Sequence, residues 1–146
     1  MRMLKLYLDT NIYIDYFDGR VDNLRPLGKF AFNLLKRTLE CEFQIIISSL
    51  VLDELTYNTY KENMLSLIKD LKEKDLKEKD KLMIIEVNEE DVKNTIKIKR
   101  ERKTTHNDTL HAVLANRIKA DFLVTRNLKD FEELQDLVKV VLPENL

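Results

Sequence analysis

The sequence predicts an α/β protein with a parallel β-sheet, on the basis of two features. Short apolar runs of strand length alternate with stretches of helical periodicity along the chain. The run 43–47 is apolar almost throughout, which is typical of a strand buried on both faces. Because strands that alternate with helices build a parallel sheet covered on both sides, we expect a three-layer α/β/α architecture.

The composition is that of one globular domain, residues 1–146. Apolar residues make up 44% of the chain and charged residues 35%. The chain has only 2 Gly and 2 Pro, the residues that most often interrupt helices and strands, so we expect long helices and short loops. The net charge of −1 gives no overall field that would attract nucleic acid.

The sequence also indicates a location for the protein. No apolar run approaches the ~20 residues that a membrane-spanning helix needs, and the N-terminus lacks a secretory pattern. The single cysteine, Cys41, cannot form an internal disulfide and lies among apolar neighbours. We therefore expect a cytoplasmic protein with no membrane partner.

The first strand is the element around which a site is predicted. The apolar run 4–8 stops at Asp9, and Thr10 and Asn11 then begin a helix. Asp9 therefore lies at the carboxyl end of a strand, which is the edge of an open α/β sheet where ligands bind. The alternative is that Asp9 only caps the helix.

Four further strands are predicted at 43–47, 82–87, 122–124 and 137–141, with helices between them. The pentad DLKEK at 70–74 is repeated at 75–79, with acids four residues before lysines. This spacing supports a solvated helix, so we do not interpret the repeat as a site.

Two more acids are predicted at the edge that carries Asp9. In a parallel sheet each helix begins at the edge where the preceding strand ended. Glu54 lies early in the helix after the second strand, and Asp108 lies in the first turn of the helix before the fourth. Asp121, just before the fourth strand, falls at the opposite edge and is excluded. The predicted edge also carries the polar residues that follow the fourth strand: Thr125, Asn127 and Asp130.

Each of these residues also has a purely structural explanation. Glu54 fits an ordinary solvated helix acid, and Asp108 fits a capping box with Thr105. We interpret His106 and His111 as polar helix residues rather than ligands. None of these explanations requires a shared edge, whereas a metal site does.

Carboxylates gathered at one edge raise one another's pKa unless a cation lies between them. Oxygen ligands with few imidazoles or thiols suit Mg²⁺ or Mn²⁺, which acidify a bound water for in-line attack on phosphorus. A basic stretch beside such a site suits a polyanion held against a metal, although alone it is typical of a solvated helix face. The candidate contacts in this stretch are Lys99, Arg100, Arg102 and Lys103.

In these motifs the chain resembles the PIN domain, a family of metal-dependent ribonucleases that includes the VapC-type toxins of toxin–antitoxin pairs. The resemblance covers nearly the whole chain. It rests on four segments, 6–11 (LYLDTN), 49–55 (SLVLDEL), 107–112 (NDTLHA) and 120–131 (ADFLVTRNLKDF).

The resemblance implies a Rossmann-like parallel sheet of five strands, with the first and fourth strands as neighbours. It implies that Asp9, Glu54 and Asp108 bind the metal and that Asn11 or Thr125 supports them. The helices after Glu54 would join two subunits into a homodimer. An antitoxin protein would be a further partner.

One position departs from the family pattern. Many members carry a fourth acid after the fourth strand, where this chain has Asn127, with Asp130 one turn later. An amide oxygen binds a metal without adding negative charge, so a second metal should be held weakly until phosphate arrives. Whether Asn127 or Asp130 serves as the fourth site residue stays open.

We therefore predict a Mg²⁺- or Mn²⁺-dependent endoribonuclease, in which Asn127 orients a water or a phosphate oxygen and Arg126 contacts the RNA backbone. The alternative is a non-catalytic PIN-like module that binds RNA or a protein. A phosphatase-like or signalling domain is disfavoured, because Asn11 lies where such a domain has a second acid and the chain has no glycine-rich phosphate loop.

Overall fold

The computed structural model describes residues 3–19, 21, 24–40, 42–57, 59–73 and 81–146. Within these residues, five parallel strands form one sheet in the order β3-β2-β1-β4-β5. The strands are β1 (Leu4–Leu8), β2 (Phe43–Ser48), β3 (Leu82–Ile85), β4 (Phe122–Val124) and β5 (Val140–Val141). The predicted parallel sheet, with its first and fourth strands adjacent, is confirmed.

Helices flank the sheet on both sides and complete the three-layer α/β/α fold. The α-helices are α1 (Thr10–Asp18), α2 (Leu27–Leu39), α3 (Ser49–Tyr57), α4 (Lys61–Glu73), α5 (Glu89–Glu101) and α6 (His106–Arg117). Two short 3₁₀ helices, Leu128–Leu134 and Pro143–Asn145, flank β5. None of the helices in the described part of the chain is long and apolar enough to cross a membrane.

The core lies between the sheet and these helices. All six residues of β2 are buried, as expected for a strand with neighbours on both sides and helices on both faces. In the central strand β1, Leu6, Tyr7 and Leu8 are completely buried. The carboxyl ends of these two strands are therefore anchored in the core, and α1 and α3 begin directly after them.

Local hydrogen bonds set where the helices begin. Ser48 Oγ accepts a hydrogen bond from the Val51 amide (3.2 Å), so the last residue of β2 caps α3. Asn88 and Asp91 form a reciprocal capping box at the start of α5. Because each cap lies at the carboxyl end of a strand, the helix starts are fixed at one edge of the sheet.

The structure shortens two of the predicted strands. β3 ends at Ile85 rather than at 87, because the Val87 amide donates to Ser49 Oγ (3.0 Å) and not to a neighbouring strand. β5 begins at Val140 rather than at 137, because the preceding turn is closed by a hydrogen bond from the Leu137 amide to the Leu134 carbonyl (3.0 Å). Cys41, the last residue of the first pentad and the whole second pentad lie outside the described residues.

Candidate active site

The site lies at the carboxyl ends of β1 and β4, where the chain leaves two neighbouring strands toward opposite sides of the sheet. After β1 the chain continues to β2 on one side, and after β4 it continues to β5 on the other. Such a switch in strand order creates a crevice where ligands bind. The Asp9 amide donates to the Val124 carbonyl (2.9 Å), so the two strand ends are joined at the floor of the crevice.

Asp9 is buried, with 8% of its surface exposed, and each of its carboxylate oxygens accepts hydrogen bonds. Oδ1 accepts from the Thr10 amide (2.7 Å) at the start of α1. Oδ2 accepts from the Thr125 hydroxyl (3.0 Å) and from the Asn11 side-chain amide (3.3 Å). Asp9 therefore caps a helix and also belongs to the crevice, so the two predicted roles coexist.

Asn11 and Thr125, predicted as supporting residues, both donate to the Oδ2 atom of Asp9. Asn11 Nδ2 also donates to Thr125 Oγ1 (3.2 Å), which connects α1 directly to the end of β4. The backbone N–H of Asn127 donates to the same Thr125 hydroxyl (3.2 Å). This network restricts the orientation of the Asp9 carboxylate.

Glu54 reaches the same region from α3 through a histidine on α6. His111 Nε2 lies 2.7 Å from Glu54 Oε1 and 3.6 Å from Asp9 Oδ1, so the imidazole lies between the two acids. The Thr10 hydroxyl also donates to Glu54 Oε1 (3.1 Å). The His111 side chain is 1% exposed and that of Glu54 is 29% exposed, so the acid reaches solvent and the histidine does not.

A polar chain supports His111 from the interior of the protein. The Tyr7 hydroxyl lies 2.7 Å from His111 Nδ1 and 2.7 Å from Ser48 Oγ. The Tyr7 and His111 rings also pack edge to face, with 5.6 Å between their centroids. Burial raises the pKa of the Tyr7 hydroxyl well above its usual value, so this group stays protonated.

The titratable groups of the site shift one another's pKa values. Burial, assisted by the charge of Glu54, raises the pKa of Asp9, although His111 and the hydrogen bonds from Thr125 and Thr10 oppose this shift. Burial lowers the pKa of His111, but its hydrogen bond to Glu54 and the charges of Asp9, Glu54 and Asp108 outweigh burial and raise this pKa.

Asp108 is half-buried in the first turn of α6, where its amide donates to the Thr105 hydroxyl (3.1 Å). Burial raises the pKa of Asp108, as do the charges of Asp9 and Asp130. Asp108 is therefore within electrostatic reach of Asp9. Asn127 and Asp130 are exposed at the start of the first 3₁₀ helix, and the charge of Asp130 acts on Asp108.

Asp121 lies at the opposite edge of the sheet, as predicted. The Asp121 carboxylate accepts a hydrogen bond from the Lys5 amide (2.7 Å) near the amino ends of β1 and β4. Asp121 is therefore separated from the crevice by the length of these strands.

The donor set of the crevice suits a hard divalent cation. Carboxylate oxygens meet an amide and a hydroxyl. Burial and, to a smaller extent, neighbouring negative charge raise the pKa values of Asp9 and Asp108, and a bound cation would stabilise both carboxylates in the charged form. Among the described residues, no group of three or more His, Cys, Asp and Glu side chains is arranged to hold a metal ion. Mg²⁺ commonly uses one or two carboxylates and keeps several waters, so the residues fit an ion whose ligands include water and phosphate.

The family model of the PIN domain matches residues 6–137 of this chain. The chain belongs to the PIN domain family. The match includes all of the crevice residues named above, from Tyr7 to Asp130. No protein with a curated description matches this PIN domain.

Three solved structures of protein complexes share the fold of this PIN domain. A VapBC2 complex from Rickettsia felis, bound to a DNA fragment from its promoter, is 24% identical with a TM-score of 0.64, covering 94% of this chain and 99% of the other. A toxin–antitoxin complex from Klebsiella pneumoniae is 24% identical with a TM-score of 0.62, covering 94% and 97%. A FitAB complex with an IR36 DNA fragment is 19% identical with a TM-score of 0.63, covering 97% and 96%.

Two of the predicted RNA contacts of this PIN domain are engaged in ion pairs. The Arg126 guanidinium pairs with Asp15, a buried acid of α1. Arg102 forms a bidentate pair with Asp136, with N···O distances of 2.6 and 2.9 Å. The remaining three candidates are exposed around the end of α5: Lys99, Arg100 and Lys103.

An open groove of about 320 Å³ borders Glu54 between α3 and the start of α6. Its lining consists of Leu50, Asp53, Glu54, Tyr57 and Asn107. A larger depression, of about 510 Å³, lies between α2 and the second 3₁₀ helix and contains none of the predicted site residues.

The buried hydrogen bonds that join Ser48, Tyr7 and His111 to Glu54 are not predicted from the sequence. The sequence pattern places His111 among polar helix residues and Tyr7 in an apolar strand. A signal for His111 exists in the sequence, since it lies one turn after Asp108 between the apolar residues Leu110 and Ala112. A histidine in such a buried helix segment needs polar partners, and the neighbouring acids supply them.

Proposed function

We propose that this PIN domain is a Mg²⁺- or Mn²⁺-dependent endoribonuclease that acts as a single domain, residues 1–146, in the cytoplasm. The observation that carries the proposal is the buried Asp9 carboxylate at the β1–β4 crevice. Glu54 is joined to it through His111, and Asp108 is near enough for the two acids to affect each other's charge state. Exclusion of water strengthens the pull of such a cluster on a cation.

Each residue of the crevice has a role in the proposed reaction. Asp9, Glu54 and Asp108 bind the metal ion directly or through water. When bound, the ion supplies an acidified water and a positive charge against the phosphate of the RNA. Asn11 and Thr125 hold the Asp9 carboxylate through its Oδ2 atom.

The entrance of the crevice suits a polyanion. Asn127 or Asp130 orients a water or a phosphate oxygen at the exposed start of the first 3₁₀ helix. Lys99, Arg100 and Lys103 are exposed just before α6 and neutralise the RNA backbone. Arg102 and Arg126 contribute to RNA binding only if the substrate competes with their acidic partners.

We also propose that this PIN domain is the toxin of a toxin–antitoxin pair, with an antitoxin protein as its partner and a homodimer as its active form. The proposal is supported by the fold shared with VapBC2, FitAB and the Klebsiella pneumoniae complex. The helical region after Glu54 would supply the subunit contact.

Asp9→Asn tests the function, and Asp121→Asn is its matched control at the opposite edge. Asparagine keeps the shape of the side chain but removes the negative charge, so we expect Asp9→Asn to abolish cleavage of single-stranded RNA in Mg²⁺ or Mn²⁺ while the protein stays folded. Asp121→Asn should cleave RNA like the parent. Expression of the parent, but not of Asp9→Asn, should slow the growth of a host cell.

The outcome separates the nuclease from a binding module. Cleavage by Asp9→Asn at the rate of the parent would show that the site is assigned wrongly. If the parent binds RNA, but neither cleaves it nor releases heat on titration with Mn²⁺, this PIN domain is a non-catalytic binding module.

A further inference from the structure

A continuous chain of hydrogen-bonding groups runs from the protein interior to Glu54. The Val51 amide donates to Ser48 Oγ, and Ser48 Oγ lies 2.7 Å from the Tyr7 hydroxyl. The Tyr7 hydroxyl lies 2.7 Å from His111 Nδ1, and His111 Nε2 lies 2.7 Å from Glu54 Oε1. Ser48, Tyr7 and His111 are each at most 1% exposed, so water does not compete for these bonds. The chain joins β2, β1, α6 and α3.

His111 Nε2 carries a proton in both charge states of the ring. This nitrogen faces Glu54 at 2.7 Å and Asp9 at 3.6 Å, and ionised carboxylates only accept hydrogen bonds. In the neutral ring Nδ1 is then the acceptor, and Tyr7 donates to it. In the charged ring Nδ1 donates to Tyr7, which donates to Ser48. The bond from Nε2–H to Glu54 is therefore the same in either case.

We propose that Tyr7 and His111 are positioning residues that orient the Glu54 carboxylate for the metal ion, an inference that rests on the proposed function. Two donors, His111 Nε2 and Thr10 Oγ1, converge on Glu54 Oε1 and restrict the rotation of the carboxylate. The Glu54 side chain is 29% exposed, so the carboxylate held in this way reaches the crevice. In metal sites, partners of this kind change metal affinity or activity by roughly 10–100-fold when they are removed.

The series of hydrogen bonds from Ser48 to Glu54 ends in a way that burial of His111 alone does not require. A buried histidine needs partners, and interior groups would satisfy it. Here the series of hydrogen bonds ends instead on Glu54, an acid at the solvent-facing edge of the sheet beside Asp9. The two acids keep the proton of the neutral His111 ring on Nε2, and Tyr7 donates to Nδ1 and so holds the ring in the orientation that faces Glu54.

Calorimetric titration of the intact protein with Mn²⁺ alone tests the inference. Tyr7→Phe keeps the ring that packs against His111 but removes the donor to Nδ1. We expect Tyr7→Phe and His111→Leu to weaken Mn²⁺ binding by roughly 10-fold or more, as for other residues that orient metal ligands. His111→Gln places an amide N–H near the position of Nε2, so it should restore most of the affinity.

A double variant makes the test specific. Glutamine has no ring nitrogen for Tyr7 to hold, so adding Tyr7→Phe to His111→Gln should cause little further loss of Mn²⁺ affinity. Tyr13→Phe is the matched control, because Tyr13 is also completely buried and its hydroxyl has no hydrogen-bond partner within the described residues. This variant should bind Mn²⁺ like the parent.

The outcomes distinguish this inference from the proposed function. Folded Tyr7→Phe that binds Mn²⁺ as tightly as the parent overturns the positioning role and leaves the nuclease proposal standing. Equal losses in Tyr7→Phe with and without His111→Gln also overturn it, since the effect then does not pass through the imidazole. Failure of the parent itself to bind Mn²⁺ overturns both proposals.

Discussion

Tyr13 carries a buried hydroxyl without a hydrogen bond to any residue that the structure describes. Burial raises the pKa of this hydroxyl, so it remains a neutral polar group in apolar surroundings. An unsatisfied buried group of this kind costs about 1–3 kcal/mol. The Tyr13 hydroxyl therefore contributes less to stability than that of Tyr7, which has two partners.

We expect Tyr13→Phe to raise the free energy of unfolding by about 1 kcal/mol, because it removes an unpaired polar atom and keeps the ring. Tyr7→Phe should lower the same quantity by about 1–3 kcal/mol, because it leaves Ser48 and His111 each short of a partner. Urea denaturation of the three proteins measures both changes. A loss of stability in Tyr13→Phe as large as that in Tyr7→Phe would contradict this account.

At the level of elements, α1 and α2 are in close backbone contact at Gly28. A Cβ atom at this position would lie 2.7 Å from the Asp15 carbonyl oxygen and 2.7 Å from Gly19 Cα. Both atoms belong to the backbone at the end of α1, so neither moves without shifting the helix. The contact matters for the site because α1 begins at Asp9 and carries Asn11.

Gly28→Ala should therefore lower the free energy of unfolding by about 2 kcal/mol or more, as overpacked interiors do. Gly19→Ala is its control, because Gly19 ends α1 with φ of 60° and its Cβ would meet nothing within 4 Å. That substitution costs only the strain of a left-handed residue, about 1 kcal/mol. Urea denaturation distinguishes the two, and equal losses would show that close helix packing is not the cause.

Element boundaries followed from the sequence where local chemistry decides them. Asp9, Asn88 and Thr105 all cap the helices that their residue types indicated. The apolar pattern failed after β4, where it predicted a helix and a long strand but the chain forms a 3₁₀ helix and a two-residue strand. Turn hydrogen bonds, such as that from the Leu137 amide to the Leu134 carbonyl, determine the conformation of this segment. Such bonds produce no periodic pattern in the sequence.

At the scale of the whole molecule, the site makes stability depend on pH. The pKa values of Asp9, Asp108 and His111 are all raised in the folded protein. The folded state therefore holds protons more strongly than the unfolded chain, and the free energy of unfolding falls as pH rises. For His111 the stabilisation is complete below its unfolded pKa of about 6.5 and is lost as pH rises through its higher folded value.

We expect the melting temperature to fall by a few degrees between about pH 6 and pH 9, where the histidine loses its proton. His111→Gln should flatten this slope, because glutamine does not titrate. Thermal unfolding followed by circular dichroism at several pH values measures the effect. A parent protein whose stability rises over this range would contradict the direction of the His111 shift.

The topology that gathers the acids was predictable from the sequence, but the contacts between them were not. Alternation of strands and helices was enough to place Asp9, Glu54 and Asp108 at one edge. It did not show that His111 lies between Asp9 and Glu54, nor that Arg126 pairs with Asp15. These contacts depend on side-chain directions across elements far apart in sequence, which periodicity does not encode.

The hydrogen bond from Thr125 to Asp9 spans 116 positions of the chain, and this separation has a consequence for protein synthesis. A ribosome that adds 5–20 residues per second delivers Thr125 roughly 6 to 23 seconds after Asp9. During that interval the nascent chain contains Asp9 but lacks Thr125, which bonds to the Asp9 carboxylate in the folded protein. The crevice is thus a late product of translation, and a transcript truncated before β4 yields a polypeptide that never assembles it.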